Sequence, residues 1–328
     1  MTLLNNDRSL GAPPQAGFKE YVAIMRLDHS TKHIFIVPGI ILAYLLRGIR
    51  TDHLIQSLVL GFVAAVCIAS ANYAINEFLD RDFDKYHPTK SQRSAVQSVM
   101  SGEVVSVEWA LLIAIGLTCA ALSSTLMLVV ACVFASQGIV YNVPPLRTKD
   151  KAYLDVISEA INNPIRLLIG WAIVDPTSLP PASIIFAYWF GGAFLMAAKR
   201  MSEYQQIVAS HGAELLARYR ASFAHYTQVS LIASCLVYSL FSIAFLSIFL
   251  VKYRIEYILA LPIVVLLFTV YFSLSTRPDS SAQKPEKLFR ERGLMLIVFA
   301  LAAVFIFASF VDMPLLANLA EQHYILLK

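Results

Sequence analysis

A run of acidic and amide side chains in the first third of the sequence is its strongest chemical signal. Asn76, Asp80 and Asp84 recur every four residues, so on a helix they lie along one face. Like charges at that spacing repel each other, and a shared divalent cation would remove the penalty. Mg²⁺ binds through one or two carboxylates together with substrate phosphates. The run therefore predicts a Mg²⁺ site; the alternative is a solvated acidic loop neutralised by neighbouring basic residues.

A second set of polar residues repeats this spacing further along the chain. Asp155 and Glu159 stand four residues apart, and Arg166 follows inside an apolar segment. An arginine within a membrane predicts a functional site, with one of these acids or a bound phosphate as its partner. The alternative is an internal ion pair that only fixes the helix in its bundle. The two acid sets predict an internal duplication and a bipartite cation site. Its candidate ligands are Asn76, Asp80, Asp84, Asp155 and Glu159.

Basic and aromatic residues flank both acid sets, as the binding of a diphosphate requires. A metal-bridged diphosphate needs further positive groups to neutralise its remaining oxygens. For any single basic residue, the alternative is the ordinary positive charge of a cytoplasmic loop in a membrane protein. The candidate substrate-binding residues are Asn76, Lys32, His87, Lys90, Arg93, Tyr141, Lys149, Arg166, Lys199 and Arg200.

The composition places these residues in a membrane protein. Of the 328 residues, 58% are hydrophobic and 15% are charged, and the mean hydropathy is +0.64. Typical soluble domains are about 45–50% apolar and about 25% charged. This balance excludes a secreted disulfide scaffold, a disordered chain and an ordinary soluble enzyme. The four cysteines lie in apolar runs without metal-binding spacing and are interpreted as inert thiols.

Nine apolar segments are long enough to cross a bilayer as helices, which takes about 20 residues each. They cover residues 33–49, 54–76, 106–123, 125–142, 154–174, 182–198, 228–250, 255–274 and 293–311. Eight is the competing count, because the third and fourth segments are nearly continuous. We therefore predict an all-α, polytopic bundle of nine transmembrane helices in a single domain. Residues 1–32 form a cytoplasmic segment, 33–311 the bundle and 312–328 a tail.

The distribution of basic residues predicts the orientation of this bundle. Of the 26 lysines and arginines, 20 lie in the N-terminal segment and in the loops after even-numbered spans. The positive-inside rule then places the N-terminus and an active-site cavity on the cytoplasmic side. The first thirty residues lack the pattern of a signal peptide. We expect a multi-pass protein of the bacterial inner membrane.

These motifs together resemble the UbiA superfamily of membrane-embedded transferases. The resemblance rests on the NxxxDxxxD run from Asn76, the YxxPPxRxK turn from Tyr141, the acid pair from Asp155 and the nine-span count. It extends from Met25 to the last span. It implies that Mg²⁺ and two acid-rich motifs ionise a substrate diphosphate beside a lipid-accessible cavity. It also implies catalytic roles for Asp80, Asp84, Asp155 and Glu159.

Shorter stretches are closer to the decaprenyl-phosphate phosphoribosyltransferase branch of that superfamily. They are Lys32 with its flanking residues, 87–90, 198–203, and Pro285-Glu286 with Arg290 and Arg292. This branch implies transfer of a 5-phosphoribosyl group from phosphoribosyl diphosphate to a polyprenyl phosphate, which supplies lipid-linked pentose, usually arabinose, for glycan synthesis. The chain departs from the family pattern at Glu77, where aspartate is usual, and at Ser94, where proline usually follows the arginine.

Two other functions are compatible with the same residues. One is transfer of a prenyl group from its diphosphate to an aromatic acceptor, which uses the same aspartates. The other is a transporter in which the acids bind a coupling cation, although that predicts broken helices at mid-membrane. The expected partners are a polyprenyl phosphate, a diphosphate co-substrate and the bilayer, with no nucleic acid. A homo-oligomer is compatible with the sequence.

Overall fold

The protein is a bundle of α-helices joined by short 3-10 segments. A computed structural model describes residues 13–277, 288 and 290–320, and no β-strand occurs in these ranges. The all-α prediction is therefore confirmed. Of the predicted features above, Pro285, Glu286 and parts of the segments 1–32 and 312–328 lie outside the described residues.

The elements follow one another with short connections. The α-helices are α1 (Phe18–Ile24), α2 (Val37–Arg47), α3 (Leu54–Asp84), α4 (Ser94–Gln97), α5 (Gly102–Ser123), α6 (Thr125–Asn142), α7 (Leu154–Ala160), α8 (Asn162–Val174), α9 (Ala182–His211), α10 (Ala213–Tyr219), α11 (Gln228–Tyr253), α12 (Leu261–Ser275), α13 (Arg292–Phe310) and α14 (Pro314–Ala320). The 3-10 segments are Leu27–Ile36, Lys90–Gln92, Thr148–Asp150, Ala221–His225 and Ile255–Ala260.

Eight helical segments among the described residues are long and apolar enough to cross a membrane. They are Ser30–Arg47, Leu54–Asp84, Gly102–Ser123, Thr125–Asn142, Ala182–Ser210, Gln228–Tyr253, Ile255–Ser275 and Arg292–Phe310. The protein is therefore an integral, multi-pass membrane protein. The predicted spans on either side of Ser124 are separate helices, because this residue is extended and its hydroxyl accepts the backbone N–H of Met127 to cap α6.

The predicted span over residues 154–174 differs from the others. It is divided at Ile161 into α7 and α8, and neither helix is long enough to cross a membrane alone. Ile161 keeps right-handed helical dihedral angles, so the chain continues in nearly the same direction. Most side chains of α8 are buried, which places it inside the bundle. The count of nine spans stays a prediction, with α7 and α8 together as the ninth.

Two helices extend well past their predicted ends. The prediction ended the second span at residue 76 and the sixth at 198, whereas α3 continues to Asp84 and α9 to His211. Hydropathy detects only the apolar part of a helix, and these extensions carry the charged residues of interest. As a result, Asp80 and Asp84 belong to a regular helix rather than to a loop.

Helices α2 and α8 cross at two glycines, Gly39 and Gly170. A Cβ atom on Gly39 would lie 2.1 Å from the backbone oxygen of Leu167, and one on Gly170 would lie 2.1 Å from that of Ile36. The two backbones therefore touch, as small residues allow in membrane helices. This contact fixes α8, and with it the end of α7, against the first span.

Replacing Gly170 by valine is expected to reduce the yield of folded protein strongly. The added side chain meets backbone rather than a flexible side chain, so the helices must separate, at a cost of at least about 1–3 kcal/mol. Gly293→Val is the matched control, since a Cβ at Gly293 meets no atom within 4 Å in the described structure. The measurement is the melting temperature and monodisperse yield in detergent. Equal values for both variants would show that the backbones do not pack this closely.

Candidate active site

The two acid sets lie at neighbouring helix ends, and consecutive residues of α6 connect them. Asn142, the last residue of α6, accepts a hydrogen bond from Nδ2 of Asn76 at 2.5 Å. The preceding residue, Tyr141, donates its hydroxyl proton to Glu159 at 2.8 Å. The end of α6 therefore contacts both α3 and α7. We call the five predicted ligands, Asn76, Asp80, Asp84, Asp155 and Glu159, the acid site.

Asp80 lies between two cations from the turn that follows α6. Its Oδ1 accepts hydrogen bonds from Nζ of Lys149 at 2.6 Å and from the Arg147 guanidinium at 2.9 Å. Lys149 is buried and also donates to Oδ1 of Asn142 at 3.0 Å. Burial lowers the pKa of Lys149 to about 8, against the opposing effect of Asp80. The predicted residue Lys149 thus lies beside the predicted ligand Asp80, and Arg147 is a further cation that was not predicted.

Asp84 is held by the loop that follows α3. Its Oδ2 accepts a hydrogen bond from the Arg93 guanidinium at 2.5 Å. Between these two residues, Nδ1 of His87 accepts the backbone N–H of Thr89 at 3.1 Å, which leaves Nε2 protonated. Burial lowers the pKa of His87, although its hydrogen bond to Glu203 opposes that shift. The loop is therefore folded back over the end of α3, with neutral His87 as its internal support.

Glu203 of α9 connects this loop to the second acid set. It accepts hydrogen bonds from Nε2 of His87 and from the Tyr219 hydroxyl, each at 3.1 Å, and Nζ of Lys90 lies 3.6 Å away. The predicted residues His87 and Lys90 therefore contact a carboxylate of another helix. As the structure stands, both hold the loop against α9.

Arg200 is the centre of the second acid set. Its guanidinium contacts Asp155 at 3.2 Å, Glu159 at 2.9 Å and Glu203 at 3.3 Å. Asp155 is 0% exposed and also accepts the hydroxyl protons of Tyr226 at 2.7 Å and Ser222 at 3.2 Å. Glu159, by contrast, is partly exposed. Of the two predicted acids, Glu159 is therefore the one with access to a ligand.

Sequence reasoning missed the segment that surrounds Asp155. Arg220 lies 3.5 Å from Asp155 and donates to the hydroxyl of Tyr141 at 2.7 Å. With Tyr219, Ser222 and Tyr226, it forms a polar and aromatic stretch after α10. The sequence signal that could have indicated this segment is its cluster of tyrosine and arginine residues shortly after the long α9. Because the segment is a short 3-10 turn, no helical spacing indicated which side chains face the site.

Three predicted substrate-binding residues lie deeper in the bundle than the acid site. Nζ of Lys32 donates to the Tyr73 hydroxyl at 3.1 Å, and the Arg166 guanidinium also interacts with Tyr73. Lys199 lies within electrostatic range of Glu159 in the acid site and of Lys32. In the described part of the chain, no carboxylate lies within 4 Å of the charged groups of these three residues. We call Lys32, Arg166 and Lys199 the cationic pocket.

The donor set of the acid site fits a metal shared with a substrate. No three His, Cys, Asp or Glu side chains in the described residues are grouped so that they could hold an ion by themselves. Asp80 and Asp84 nevertheless supply two carboxylates on one face of α3, with the amide of Asn76 one turn away. Mg²⁺ commonly binds through such a pair and completes its coordination with phosphate oxygens and water.

Comparison with known proteins identifies the family of this chain. Residues 36–297, most of the chain, match the UbiA prenyltransferase family. The chain belongs to that family. The resemblance noted in the sequence is therefore confirmed at the level of the family.

Individual relatives are distant. A protoheme IX farnesyltransferase from Alkalihalophilus pseudofirmus is 24% identical over 205 residues, which cover 61% of this chain and 65% of that protein. Nodulation protein NoeC from Azorhizobium caulinodans is 26% identical over 204 residues, which cover 61% of this chain and 62% of that protein. The matched region thus spans a little under two thirds of each relative. The structure of a UbiA homolog from Archaeoglobus fulgidus bound to DMAPP and Mg²⁺ superposes with a TM-score of 0.65 at 19% sequence identity. The superposition covers 89% of this chain and 100% of the homolog, which shows the shared fold.

Proposed function

We propose that the protein transfers a 5-phosphoribosyl group from phosphoribosyl diphosphate to a polyprenyl phosphate. The observation that carries this proposal is the number of buried cations. Arg147, Lys149 and Arg200 face carboxylates of the acid site, and the cationic pocket adds three positive groups that have no carboxylate within 4 Å among the described residues. The two substrates together bring a diphosphate, a sugar 5-phosphate and a lipid phosphate. This surplus of positive charge suits three separate anionic groups.

We assign Asp80 and Asp84 to a Mg²⁺ ion, with the amide oxygen of Asn76 as a further ligand. When bound, the metal would neutralise the donor diphosphate and make it a better leaving group. Lys149 and Arg147 lie where they can also donate hydrogen bonds to the diphosphate oxygens. The Mg²⁺ and DMAPP in the solved Archaeoglobus homolog support a divalent metal in this family.

The second acid set is assigned to the ribose or to a second cation. Glu159 is partly exposed and held by Arg200 and Tyr141, so its carboxylate is oriented toward the site. Asp155 accepts hydrogen bonds from three side chains, and it would become a ligand only if one of them released it. We therefore propose that Glu159 contacts a substrate hydroxyl or a cation, and that Asp155 acts mainly by fixing Arg200.

The proposed reaction breaks one bond and forms one bond at C1 of ribose. The C1–O bond to the diphosphate breaks, and its electron pair leaves with the diphosphate, whose charge the surrounding cations stabilise. An oxygen of the lipid phosphate forms the new C1–O bond from the opposite face. This oxygen is already anionic, so no general base is required, and the anomeric configuration is inverted.

Prenyl transfer from a polyprenyl diphosphate to an aromatic acceptor is the second candidate. The similarity to a protoheme IX farnesyltransferase favours it. The same aspartates would hold the diphosphate, but the acceptor would also need a group that removes its proton.

A pair of assays separates the two functions. Purified protein with Mg²⁺ is offered labelled phosphoribosyl diphosphate with a polyprenyl phosphate, and separately labelled prenyl diphosphate with hydroxybenzoate. We expect label to enter the lipid phase from the sugar donor in the first mixture and no prenylated product in the second. Product only in the second mixture would overturn the proposal.

The lipid-linked pentose product would supply arabinose for glycan synthesis, and we place the site on the cytoplasmic face of the bacterial inner membrane.

A further inference from the structure

The cationic pocket and an adjacent groove carry two buried polar groups without partners. Arg166 is 5% exposed, and its Nε has no hydrogen-bond partner among the described residues. His33 is 7% exposed, and its Nδ1 likewise has none. Arg166 and Lys32 both lie within electrostatic range of His33. Buried polar atoms without hydrogen-bond partners, beside cations that have no carboxylate within 4 Å, are costly, which points to an anion that binds here.

This pocket is separated from the acid site along the helices. Tyr73, which contacts Lys32, precedes Asp80 on α3 by seven residues, and Arg166 follows Glu159 by the same number. Seven residues are two helical turns, so Tyr73 lies about 10 Å from Asp80 along the same face of α3, and Arg166 lies in α8 beyond the division at Ile161. An anion held by Lys32 and Arg166 would therefore lie deeper than a diphosphate held at Asp80.

A groove with mostly apolar walls lies beside the residue that follows Lys32 in the chain. It has a volume of about 360 Å³ and lies between the segment that opens the first span and α3. Its walls include His33, Ile34, Val37, Phe62 and Val66. Lys32 and His33 are consecutive, and the first contacts Tyr73 in the pocket while the second lines the groove. The groove and the pocket are therefore neighbours at this dipeptide.

We propose that the cationic pocket binds the phosphate of the lipid acceptor and that the groove holds the first part of its polyprenyl chain. This inference rests on the proposed function, and it identifies the cations that bind the phosphate of the acceptor. Arg93 and Arg200 are already paired with carboxylates, at 2.5 Å and 2.9 Å, whereas Lys32, Arg166 and Lys199 are not. A charged head on an apolar tail matches a cationic pocket beside a mostly apolar groove.

Equilibrium binding without sugar donor or metal tests this assignment directly. The probes are farnesyl phosphate, farnesol and ribose 5-phosphate, and the proteins are wild type, Arg166→Met, Lys199→Met and Lys252→Met in detergent. Lys252 is the matched control, because it is an exposed lysine at the end of α11. We expect wild type to bind farnesyl phosphate more tightly than farnesol. Each pocket variant should lose about 10-fold or more of that affinity, with the control unchanged.

Three results would overturn the inference. They are equal affinity for farnesyl phosphate and farnesol, wild-type affinity in both pocket variants, or a loss confined to ribose 5-phosphate, which would assign the pocket to the sugar donor. Arg166→Lys keeps the charge and is expected to retain part of the affinity, which separates binding from a folding defect. If farnesyl phosphate binding depends on Arg166 but no phosphoribosylated lipid forms in the first assay above, the proposed function fails and the inference stands. If phosphoribosyl transfer is observed but farnesyl phosphate binds equally well without Arg166, the inference fails and the proposed function stands.

Discussion

Asp80→Asn and Asp84→Asn are each expected to lower the turnover by at least about 100-fold. Each change removes one negative charge and one metal-ligating oxygen from the predicted Mg²⁺ site while keeping the size of the side chain. The loss of a single electrostatic group that stabilises a developing charge typically costs about 100- to 1000-fold in rate. The measurement is turnover of whichever donor and acceptor pair proves active, together with its dependence on Mg²⁺ concentration.

The same helix provides a matched control for these two variants. Asp82 lies between them, but its side chain is 73% exposed and its nearest cation, Lys85, is 3.8 Å away. Asp82→Asn therefore removes the same charge from the same segment without touching the site, and it should keep turnover within about two-fold, because exposed ion pairs contribute little. Equal turnover in wild type, Asp80→Asn and Asp84→Asn would reject the metal assignment.

Asparagine is the informative replacement because these aspartates also neutralise buried cations. Without Asp80, buried Lys149 loses the carboxylate that accepts its hydrogen bond at 2.6 Å. Its remaining partner is Asn142, whereas Arg147 still pairs with Asp150 at 2.7 Å. An asparagine oxygen can still accept from Lys149, so the protein should fold at a lower melting temperature while the metal affinity falls. A higher Mg²⁺ requirement in folded, monodisperse protein would separate the two roles.

Features that repeat along one helix could be predicted from the sequence. The four-residue spacing of Asn76, Asp80 and Asp84 depends only on helix geometry, and α3 has this geometry through Asp84. The all-α class and the family were predicted for a similar reason, since apolar runs and local motifs are visible in one dimension. The metal-site assignment itself stays a prediction.

Features that depend on packing between distant segments could not be predicted. Arg200 meets Asp155 only because α9 packs against α7, and Arg220 reaches Tyr141 across 79 residues of sequence. The division of the predicted fifth span at Ile161 was also missed, because apolar character continues on both sides of it. In each case the deciding interaction lies outside the window over which hydropathy and spacing are read.

Arg200→Met is expected to destabilise the protein more than any other single change at the site. Its guanidinium is almost completely buried and contacts the three carboxylates of Asp155, Glu159 and Glu203. Removing one partner of a buried ionic network leaves uncompensated charge and typically costs about 3–5 kcal/mol. The measurement is the melting temperature in detergent and the fraction of monodisperse protein.

A double-mutant cycle decides whether this cost comes from the carboxylates. Glu203→Gln removes one of the charges that Arg200 neutralises, so the double variant should be less destabilised than the sum of the two single changes. Arg218→Met, an exposed arginine on α10, is the control for loss of a positive charge and should leave the melting temperature unchanged. Strict additivity of Arg200→Met and Glu203→Gln would contradict the network. A double variant less destabilised than the sum would instead show that Arg200 holds α7 and α9 together through their acids, and so fixes the position of Glu159 at the site.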